Sequence, residues 1–344
     1  MNSFLKYPLI LLMLIVTLSC SRTESFFYEV VEPEIVTGLV VYSSYLRNQE
    51  ITFEVFDADG NNLTLDSNFI VDGVAIAGNQ ISYSEIGTHQ VYAEYSIDSE
   101  IYNSDTRTFS VVIPKTKVVL EDYTGTWCGY CPSVSHAIEQ IRLITNDVSV
   151  VAIHNGDPMA IPQEADLRYE FGINGFPTGR INRTIDWSYP YGSSQIESLI
   201  DTENSIAISI DSRMNGMILA INLRVVSEED LNNHKIIAYL VEDNLIYDQT
   251  SYYNYDENSY FFGMGNPIVD FTHNDVLRHS FTNILGDPIE NPTPALNDAY
   301  FNYSIEIESE YNPDNLGIVI MIVNENNTAL NSQFSEINYF QDFN

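Results

Sequence analysis

Two cysteines, Cys128 and Cys131, lie one helical turn apart where the sequence changes from a strand pattern to a helix pattern. The run at 117–123 is β-branched and aromatic, and apolar residues recur at helical spacing after Cys131. The first thiol would face the unpaired N–H groups and the positive dipole end of a helix, which favour its thiolate. Such a position lowers a cysteine pKa from about 8.5 to about 3.5–7.5. We predict that Cys128 is a redox nucleophile and that Cys131 resolves its mixed disulfide.

Two other uses of this cysteine pair stay open. One is half of a zinc site, and the other is a structural disulfide. Zinc usually takes four ligands, and the chain contains no second C-x-x-C pair and no H-x-x-x-H pair, so we expect no metal and no other cofactor. Redox chemistry is the favoured interpretation, with a structural disulfide as the main alternative.

The third cysteine, Cys20, follows a segment that resembles a bacterial lipoprotein signal. Residues 1–20 contain a basic start, an apolar core over 9–16 that is too short to span a membrane comfortably, and a small residue before the cysteine. The resemblance implies a cleaved signal peptide and lipidation of Cys20. An ordinary cleaved signal followed by a free thiol is the alternative. Either interpretation exports the protein to a compartment where disulfides persist.

Composition limits the classes of partner. The chain of 344 residues is 44% hydrophobic and 18% charged, which indicates a globular protein with more than one domain. Its formal net charge of −34 argues against nucleic acid as a partner, because a protein that grips phosphates needs a basic face. The same charge opposes electrostatic binding to anionic lipid, so the lipid on Cys20 is the expected membrane contact.

Residues 32–113 have a pattern of short strands separated by turns. The predicted strands are 39–42, 51–56, 68–71, 80–83, 89–95 and 106–113. Their alternation and spacing predict a small antiparallel sandwich, similar to the immunoglobulin-like modules that bacterial surface proteins place between anchor and working domain. A tether over 21–31 precedes this module, and Pro114 marks the next boundary.

Residues 114–204 resemble thioredoxin. The predicted order is a strand, the cysteine turn, a helix, a strand over 148–154, a short helix over 163–171 and then the sequence GINGFPT. The first strand and turn look like the active-site strand and turn of thioredoxin. Residues 171–178 look like its tyrosine-glycine-isoleucine-arginine-glycine-isoleucine-proline-threonine segment. Two such motifs in the right order, about fifty residues apart, are more specific than either alone.

The resemblance to thioredoxin implies roles for three residues near the cysteines. Pro177 would be the cis-proline that faces the pair, and the exposed backbone of Phe176 would pair with a substrate chain; a trans turn is the alternative. Asp122 matches the buried acid that takes a proton from Cys131 during resolution. The adjacent Glu121 is the alternative inward-pointing acid, with Asp122 then solvated at the strand end.

Three residues of the turn itself are predicted to contact substrate. Trp127 would cover the thiol pair as part of a substrate platform, with simple packing as the alternative. Gly129 and Tyr130 occupy the positions that tune redox potential in thioredoxin-like proteins. A Gly-Tyr pair resembles that of the bacterial periplasmic disulfide isomerase, which implies isomerase or reductase activity.

Residues 205–344 return to a strand pattern. The predicted strands are 206–210, 219–226, 236–241, 303–307 and 318–323, with a hairpin at 215–216. We predict a second β-rich domain packed on the redox domain. Its long loops, including the Tyr- and Asn-rich region 247–262, are a candidate partner-binding surface.

These motifs together resemble the outer membrane protein 28-related family of exported bacterial lipoproteins. The specific part is the turn, in which an acid, an aromatic residue, threonine and glycine precede C-x-x-C-P, and the likeness extends from Lys117 to the carboxyl terminus. The family resemblance implies a thioredoxin-like lipoprotein. The predicted fold is an α/β thioredoxin-like central domain flanked by an N-terminal immunoglobulin-like β-sandwich and a C-terminal β-rich domain.

We therefore predict an exported thiol–disulfide oxidoreductase, a reductase or isomerase of protein disulfides, that is lipid-anchored to the outer membrane and faces the periplasm or the cell surface. Its expected partners are exported proteins with thiols or disulfides, and a membrane redox partner is left open. The alternative is a surface binding or adhesion lipoprotein in which Cys128 and Cys131 form a locked disulfide. Trapping of mixed disulfides distinguishes the two classes.

Overall fold

The computed structural model describes residues 38–97, 99–289 and 293–343. The predicted signal peptide with Cys20, the tether and the first residues of the amino-terminal module lie outside these ranges. Strands dominate the described regular structure, as predicted, and they form several sheets.

The amino-terminal module consists of short strands around an aromatic core. Its strands are β1 (Gly38–Val40), β2 (Ser44–Leu46), β3 (Ile51–Thr52), β4 (Glu54–Phe56), β5 (Ser67–Val71), β6 (Val74–Ala75), β7 (Gln80–Ile81), β8 (Gly87–Ile97), β9 (Glu100–Asn103) and β10 (Arg107–Val112). One sheet has the order β2-β10-β8-β5-β6 with β9 beside β8, and separate pairs join β1 to β4 and β3 to β7. Phe53, Phe69 and Phe109 are fully buried in the cluster between them. The pairing of β2 with β10 is parallel, unlike the predicted antiparallel pattern.

The next part of the chain contains the cysteine turn and the helices. Its elements are β11 (Val118–Thr124), α1 (Pro132–Arg142), β12 (Val148–His154), α2 (Glu164–Glu170), β13 (Thr178–Ile181), β14 (Ile185–Trp187) and α3 (Ser194–Glu197). Every residue of β11 is buried, as expected for a strand covered on both faces. Helix α1 begins at a proline, which is favoured in the first turn, and buries the apolar stripe Val134, Ile138 and Ile141.

The remaining residues add strands and short 3-10 turns. The strands are β15 (Ile206–Asn215), β16 (Ile218–Ser227), β17 (Lys235–Glu242), β18 (Leu245–Gln249), β19 (Ile268–His273), β20 (Val276–Ser280), β21 (Asp287–Pro288), β22 (Ala299–Glu306), β23 (Leu316–Val323), β24 (Ala329–Glu336) and β25 (Phe340–Gln341). The 3-10 turns are Thr64–Asp66, Tyr252–Tyr255 and Pro313–Asn315. The predicted hairpin at 215–216 joins β15 to β16, which belong to a sheet of order β22-β16-β15-β25.

Within the described ranges, nine strands form a central sheet of order β14-β13-β11-β12-β20-β17-β23-β24, with β21 beside β17. Strand β12 is parallel to β11 on one side and bridges in parallel to β20 on the other, where Ala152 is the partner of Val276. The domain boundary predicted at residue 204 is therefore not an edge of this sheet. An uncovered β12 edge would leave backbone groups unpaired, and β20 from the later part of the chain covers it.

The two faces of the central sheet bury different apolar clusters. Val118 and Leu120 of β11 contact α1 and its neighbours on one face. Val119 and Tyr123 point to the other face, where they join a cluster that also contains Tyr239 and residues of β23. The sheet of β15 and β16 packs on β17 and β23 through a third cluster. The side chains of β11 thus alternate between the helix side and a core shared with the later strands.

Polar contacts attach the amino-terminal module to the later part of the chain. Arg47 Nε donates to Glu228 Oε1 at 2.6 Å. Arg224 Nη1 donates to the carbonyl oxygen of Ser44 at 2.8 Å, and its guanidinium lies 4.1 Å from the Tyr42 ring centroid. These contacts connect the module to β16, next to the central sheet.

Candidate active site

The cysteine turn connects β11 to α1. Cys128 and Cys131 form a disulfide, and little of either residue is exposed, 4% of Cys128 and 1% of Cys131. Backbone hydrogen bonds hold the turn, from Cys128 N to Gly125 O at 3.0 Å and from Cys131 N to Cys128 O at 3.3 Å. Because Pro132 begins α1, both cysteines lie at the amino-terminal end of this helix, as the sequence pattern indicated.

The segment before β13 lies beside the strand that leads into the turn. The peptide bond between Phe176 and Pro177 is cis, which confirms the cis bond that the resemblance implied. Thr178, the first residue of β13, is the register partner of Tyr123 in β11. The structure thus brings Phe176 and Pro177 to the end of β11 at which the cysteine turn begins.

Trp127 and Tyr130 carry partly exposed rings on the turn. The Trp127 ring packs edge-on against Phe176, with ring centroids 5.3 Å apart, and its Nε1 donates to Asn155 O at 2.7 Å. Trp127 is 47% exposed and Tyr130 is 55% exposed. Trp127 therefore packs on Phe176 and also presents apolar surface to solvent, while its contact with a substrate stays a prediction.

The two acids before the turn point to opposite faces of the central sheet. Glu121 Oε1 accepts from Arg183 Nε at 3.1 Å and Oε2 accepts from the Tyr123 hydroxyl at 3.0 Å, on the face away from α1. Asp122 is buried on the α1 side, and its Oδ1 has no hydrogen-bond partner among the described residues. Burial, reinforced by the charge of Asp275, raises the pKa of Asp122 to about 8. Asp122 is thus mostly protonated at neutral pH, whereas Glu121 belongs to an ion pair.

A small cavity of about 30 Å³ lies between β11, β12, α1 and the segment 272–275, with room for one or two water molecules. The titratable residues that line it are Asp122, Glu139, Arg142, His154, His273 and Asp275. Burial raises the pKa of Asp275 to about 7, although its ion pair with Arg142 acts in the opposite direction. Burial also lowers the pKa of His273 to about 4, so this imidazole is neutral at physiological pH. Polar groups therefore surround the Asp122 carboxyl inside the fold.

Residues 245–273, named here the aromatic hairpin, cover the turn from a second side. They comprise β18, β19 and the 3-10 turn Tyr252–Tyr255. Backbone hydrogen bonds join them to the cysteine turn, from Thr250 N to Thr126 O at 2.8 Å and from Tyr252 N to Gly129 O at 2.9 Å. The side chain of Gln249 adds bonds from Nε2 to Cys128 O at 2.9 Å and to Gly125 O at 3.3 Å. The Tyr252 ring lies against the turn so closely that a Cβ on Gly129 would be 2.6 Å from it. Gly129 is thus required by this contact.

Sequence reasoning found the turn and missed the residues that support it. Gln249 is 121 positions from Cys128 along the chain, and a single sequence contains no local pattern that signals such a contact. Asp275 was missed for the same reason, because its place at the cavity depends on the bridge between β12 and β20, which are far apart in the sequence. The region 247–262 was predicted as a partner-binding surface, and part of it contacts the turn of its own chain.

Two further properties of the described ranges concern metal binding and membrane-spanning helices. No group of three or more His, Cys, Asp or Glu side chains in these ranges is placed to hold a metal ion. Among the helices of the same residues, none has the length and apolar character needed to cross a membrane.

The sequence matches the model of a known protein family. The model of the family described as outer membrane protein Omp28 matches residues 164–340, about half of the chain. The match includes Phe176, Pro177 and the aromatic hairpin, and it begins after the two cysteines.

Curated relatives match a shorter part of the chain. The protein disulfide-isomerase of Aspergillus niger is 28% identical over 120 residues, which are 34% of this chain and 22% of that protein. Thioredoxin-1 of Schizosaccharomyces pombe is 24% identical over 75 residues, 22% of this chain and 67% of that protein. The chain thus spans less than a third of the length of the disulfide-isomerase.

A solved structure, HBP35 of Porphyromonas gingivalis, is similar in fold. It aligns with a TM-score of 0.53 and 15% sequence identity, over 65% of this chain and 76% of that chain. At this identity the similarity concerns the fold alone.

Proposed function

This chain belongs to the Omp28 outer membrane protein family, and on that premise we propose that it is an exported thiol–disulfide oxidoreductase. It acts on protein disulfides as a reductase or isomerase. Cys128 is the attacking thiol, Cys131 is the resolving thiol, and Asp122 accepts and returns the proton of Cys131. Trp127, Phe176, Pro177 and Tyr130 contact the substrate around the turn. Gly129 was also predicted to contact it, but this residue is buried beneath the Tyr252 ring of its own chain and instead allows the close packing of the turn.

The observation that carries this proposal is the arrangement of the disulfide and Asp122. Cys128 and Cys131 lie at the start of α1, and a buried, mostly protonated carboxyl lies on the α1 side of β11. A helix amino terminus favours a thiolate, and a carboxyl with a pKa near neutrality is suited to proton transfer at physiological pH. The likeness to protein disulfide-isomerases supports the same chemistry.

In the reductase direction, the Cys128 thiolate attacks one sulfur of a substrate disulfide. The substrate S–S bond breaks, one substrate thiolate leaves, and a mixed disulfide with Cys128 forms. After Asp122 has lost its own proton to solvent, its carboxylate takes the proton of Cys131, whose sulfur attacks Cys128 and releases the second substrate thiolate. The Cys128–Cys131 disulfide is restored, and a thiol reductant must reduce it before the next cycle. An isomerase instead recovers its dithiol when a thiolate of the same substrate attacks the mixed disulfide or another substrate disulfide, so a new substrate disulfide forms and no electrons are transferred overall.

A binding or adhesion role with a locked disulfide is the second candidate function. Its support is the low exposure of both cysteines, 4% and 1%, together with the hydrogen bond from Tyr252 N to Gly129 O. A disulfide enclosed in this way is protected from attacking thiolates. In that case the β modules carry the function and the cysteine pair only stabilises the turn.

We further propose that the protein is held at the outer membrane by a lipid on Cys20. The support is the lipoprotein-like sequence of residues 1–20 and the family description. The membrane contact is then the lipid alone, on the periplasmic or the cell-surface side. The partners are exported proteins with thiols or disulfides, and a membrane redox protein is a candidate source of electrons.

Trapping in cells tests the proposed function. A Cys131→Ala variant of the full chain retains the attacking thiol and lacks the resolving one, so we expect mixed disulfides with exported proteins that dithiothreitol releases. The matched control is Cys128→Ala with Cys131→Ala, which forms none. If the single variant traps no partner, and neither dithiothreitol nor glutathione cycles the wild-type pair, the disulfide is structural and the binding role is favoured.

A further inference from the structure

We propose that Asp275 is a positioning residue that controls the protonation of Asp122 across the small cavity, through which Asp122 exchanges its proton with solvent. This inference rests on the proposed function, because Asp122 serves the resolving thiol there. It concerns a residue from the later part of the chain, outside the predicted redox domain.

Strand register brings the two carboxyls to the same level of the central sheet. Asp122 of β11 is the register partner of Ala152 in β12. Ala152 in turn bridges to Val276, and its N–H donates to the carbonyl oxygen of Asp275 at 2.8 Å. Asp122 and Asp275 therefore flank one small residue, and the cavity that both line occupies the space beside its methyl group.

The ion pair between Asp275 and Arg142 lies between the cavity and solvent. Arg142, near the end of α1, binds Asp275 Oδ1, and its side chain is 40% exposed. It also lines a polar cleft of about 480 Å³ that opens at the other end of β12, next to Asp147 and Asp243. Water in this cleft thus reaches the guanidinium that borders the inner cavity.

The other titratable groups around the cavity have separate partners or no charge. His154 Nδ1 is 2.7 Å from Asp157 Oδ2, and the His273 imidazole is neutral because burial lowers its pKa to about 4. Glu139 on α1 is mostly exposed. Asp243 accepts a hydrogen bond from the backbone N–H of Asp275 at 2.7 Å. Asp275 is consequently the charge that acts on Asp122 across the cavity.

Proton balance gives this pair a role in disulfide reduction. When a reductant thiolate attacks Cys128, the Cys128–Cys131 bond breaks and the sulfur of Cys131 leaves as a thiolate. Asp122 gives this thiolate its proton and becomes a buried carboxylate. Water in the cavity then returns a proton to Asp122, and repulsion by Asp275 favours that return.

The experiment measures the titration of Asp122 directly. The carboxyl ¹³C resonance of Asp122 in the full chain is identified by its loss in Asp122→Asn, and its midpoint is compared between wild type and Asp275→Asn. Removing the negative charge of Asp275 also leaves the Arg142 cation unpaired, and both changes favour the Asp122 carboxylate. We expect the midpoint to fall by about one pH unit.

Asp186→Asn is the matched control, because Asp186 pairs with Arg180 as Asp275 does with Arg142, and it does not line the cavity. It should leave the Asp122 midpoint unchanged. The rate at which dithiothreitol reduces the disulfide is measured over the same pH range. We expect this rate to fall at high pH in all three proteins, and the fall to begin at a lower pH in Asp275→Asn than in wild type or Asp186→Asn.

Three outcomes are distinguishable. Displacement of both the resonance midpoint and the rate profile supports the inference. An unchanged midpoint in Asp275→Asn overturns it, whatever the variant does to stability. A displaced midpoint in a protein whose disulfide no thiol reduces supports the coupling between the two carboxyls and overturns the proposed oxidoreductase function.

Discussion

At the scale of single residues, the proposed chemistry of the site depends on one neutral acid. Asp122 and Glu121 are adjacent and both buried, yet only Glu121 has a cation beside it. The alternation of a β-strand explains the difference, because neighbouring side chains enter different environments on the two faces. The acid without a cation stays protonated and is suited to proton transfer.

The raised pKa of Asp122 predicts how stability changes with pH. The pKa is about 8 in the folded protein and about 3.9 in an unfolded chain, so between these values the folded state binds more protons. Stability therefore falls as pH rises through that window. Asp122→Asn has no carboxyl to ionise and so does not lose stability in this window. We expect its free energy of unfolding to equal that of wild type near pH 4 and to be several kcal/mol larger at pH 8 to 9. Urea unfolding of the oxidised proteins at several pH values measures this, and a pH-independent difference would contradict it.

At the scale of elements, the cysteine turn depends on the aromatic hairpin for support. The contact between Gly129 and the Tyr252 ring leaves no room for a Cβ. We expect Gly129→Ala to lower the free energy of unfolding by about 1–3 kcal/mol, because the ring or the turn must shift. In a Tyr252→Ala background the same substitution should lower the free energy of unfolding by less, because the effects of substitutions at residues in contact do not add.

Chemical denaturation of the four proteins in this double-mutant cycle measures the coupling. Gly192→Ala is the control, since a Cβ on Gly192 meets no atom within 4 Å. If Gly129→Ala lowers the free energy of unfolding equally with and without the Tyr252 ring, the contact does not support the turn.

The elements themselves were largely predictable, because they follow local rules. The apolar stripe of α1, the β-branched runs of β11 and β12, and the Asn-Gly turn between β15 and β16 are all visible in short windows of sequence. The aromatic hairpin was not predictable as a cover for the turn. Its tyrosines and asparagines are typical of loops, and its position depends on hydrogen bonds to residues more than a hundred positions away.

At the scale of the whole molecule, the central sheet joins two predicted domains. Tyr123 and Ile153 on β11 and β12 are buried against Tyr239 and Met321, which come from the later strands. A fragment containing only residues 114–204 loses these partners and exposes the β12 edge. We expect it to show no cooperative unfolding transition.

A longer fragment, residues 114–343, retains the central sheet and is the matched comparison. We expect it to unfold cooperatively, because it loses only the amino-terminal module and its polar contacts. Circular dichroism during heating measures both fragments. A sigmoidal transition in the 114–204 fragment would contradict this expectation and support the predicted boundary at residue 204.

The direction of β11 also sets how the disulfide is presented. The cleft between Thr88, Val112 and Lys117 places the amino-terminal module at the start of this strand, and the cysteines follow its end. Seven strand residues separate the two by roughly 23 Å at about 3.3 Å per residue. A surface that holds the amino-terminal module therefore has the sulfurs on the distal side of the molecule. Under the proposed function, substrate proteins would therefore approach the cysteine turn from the side opposite the lipid anchor.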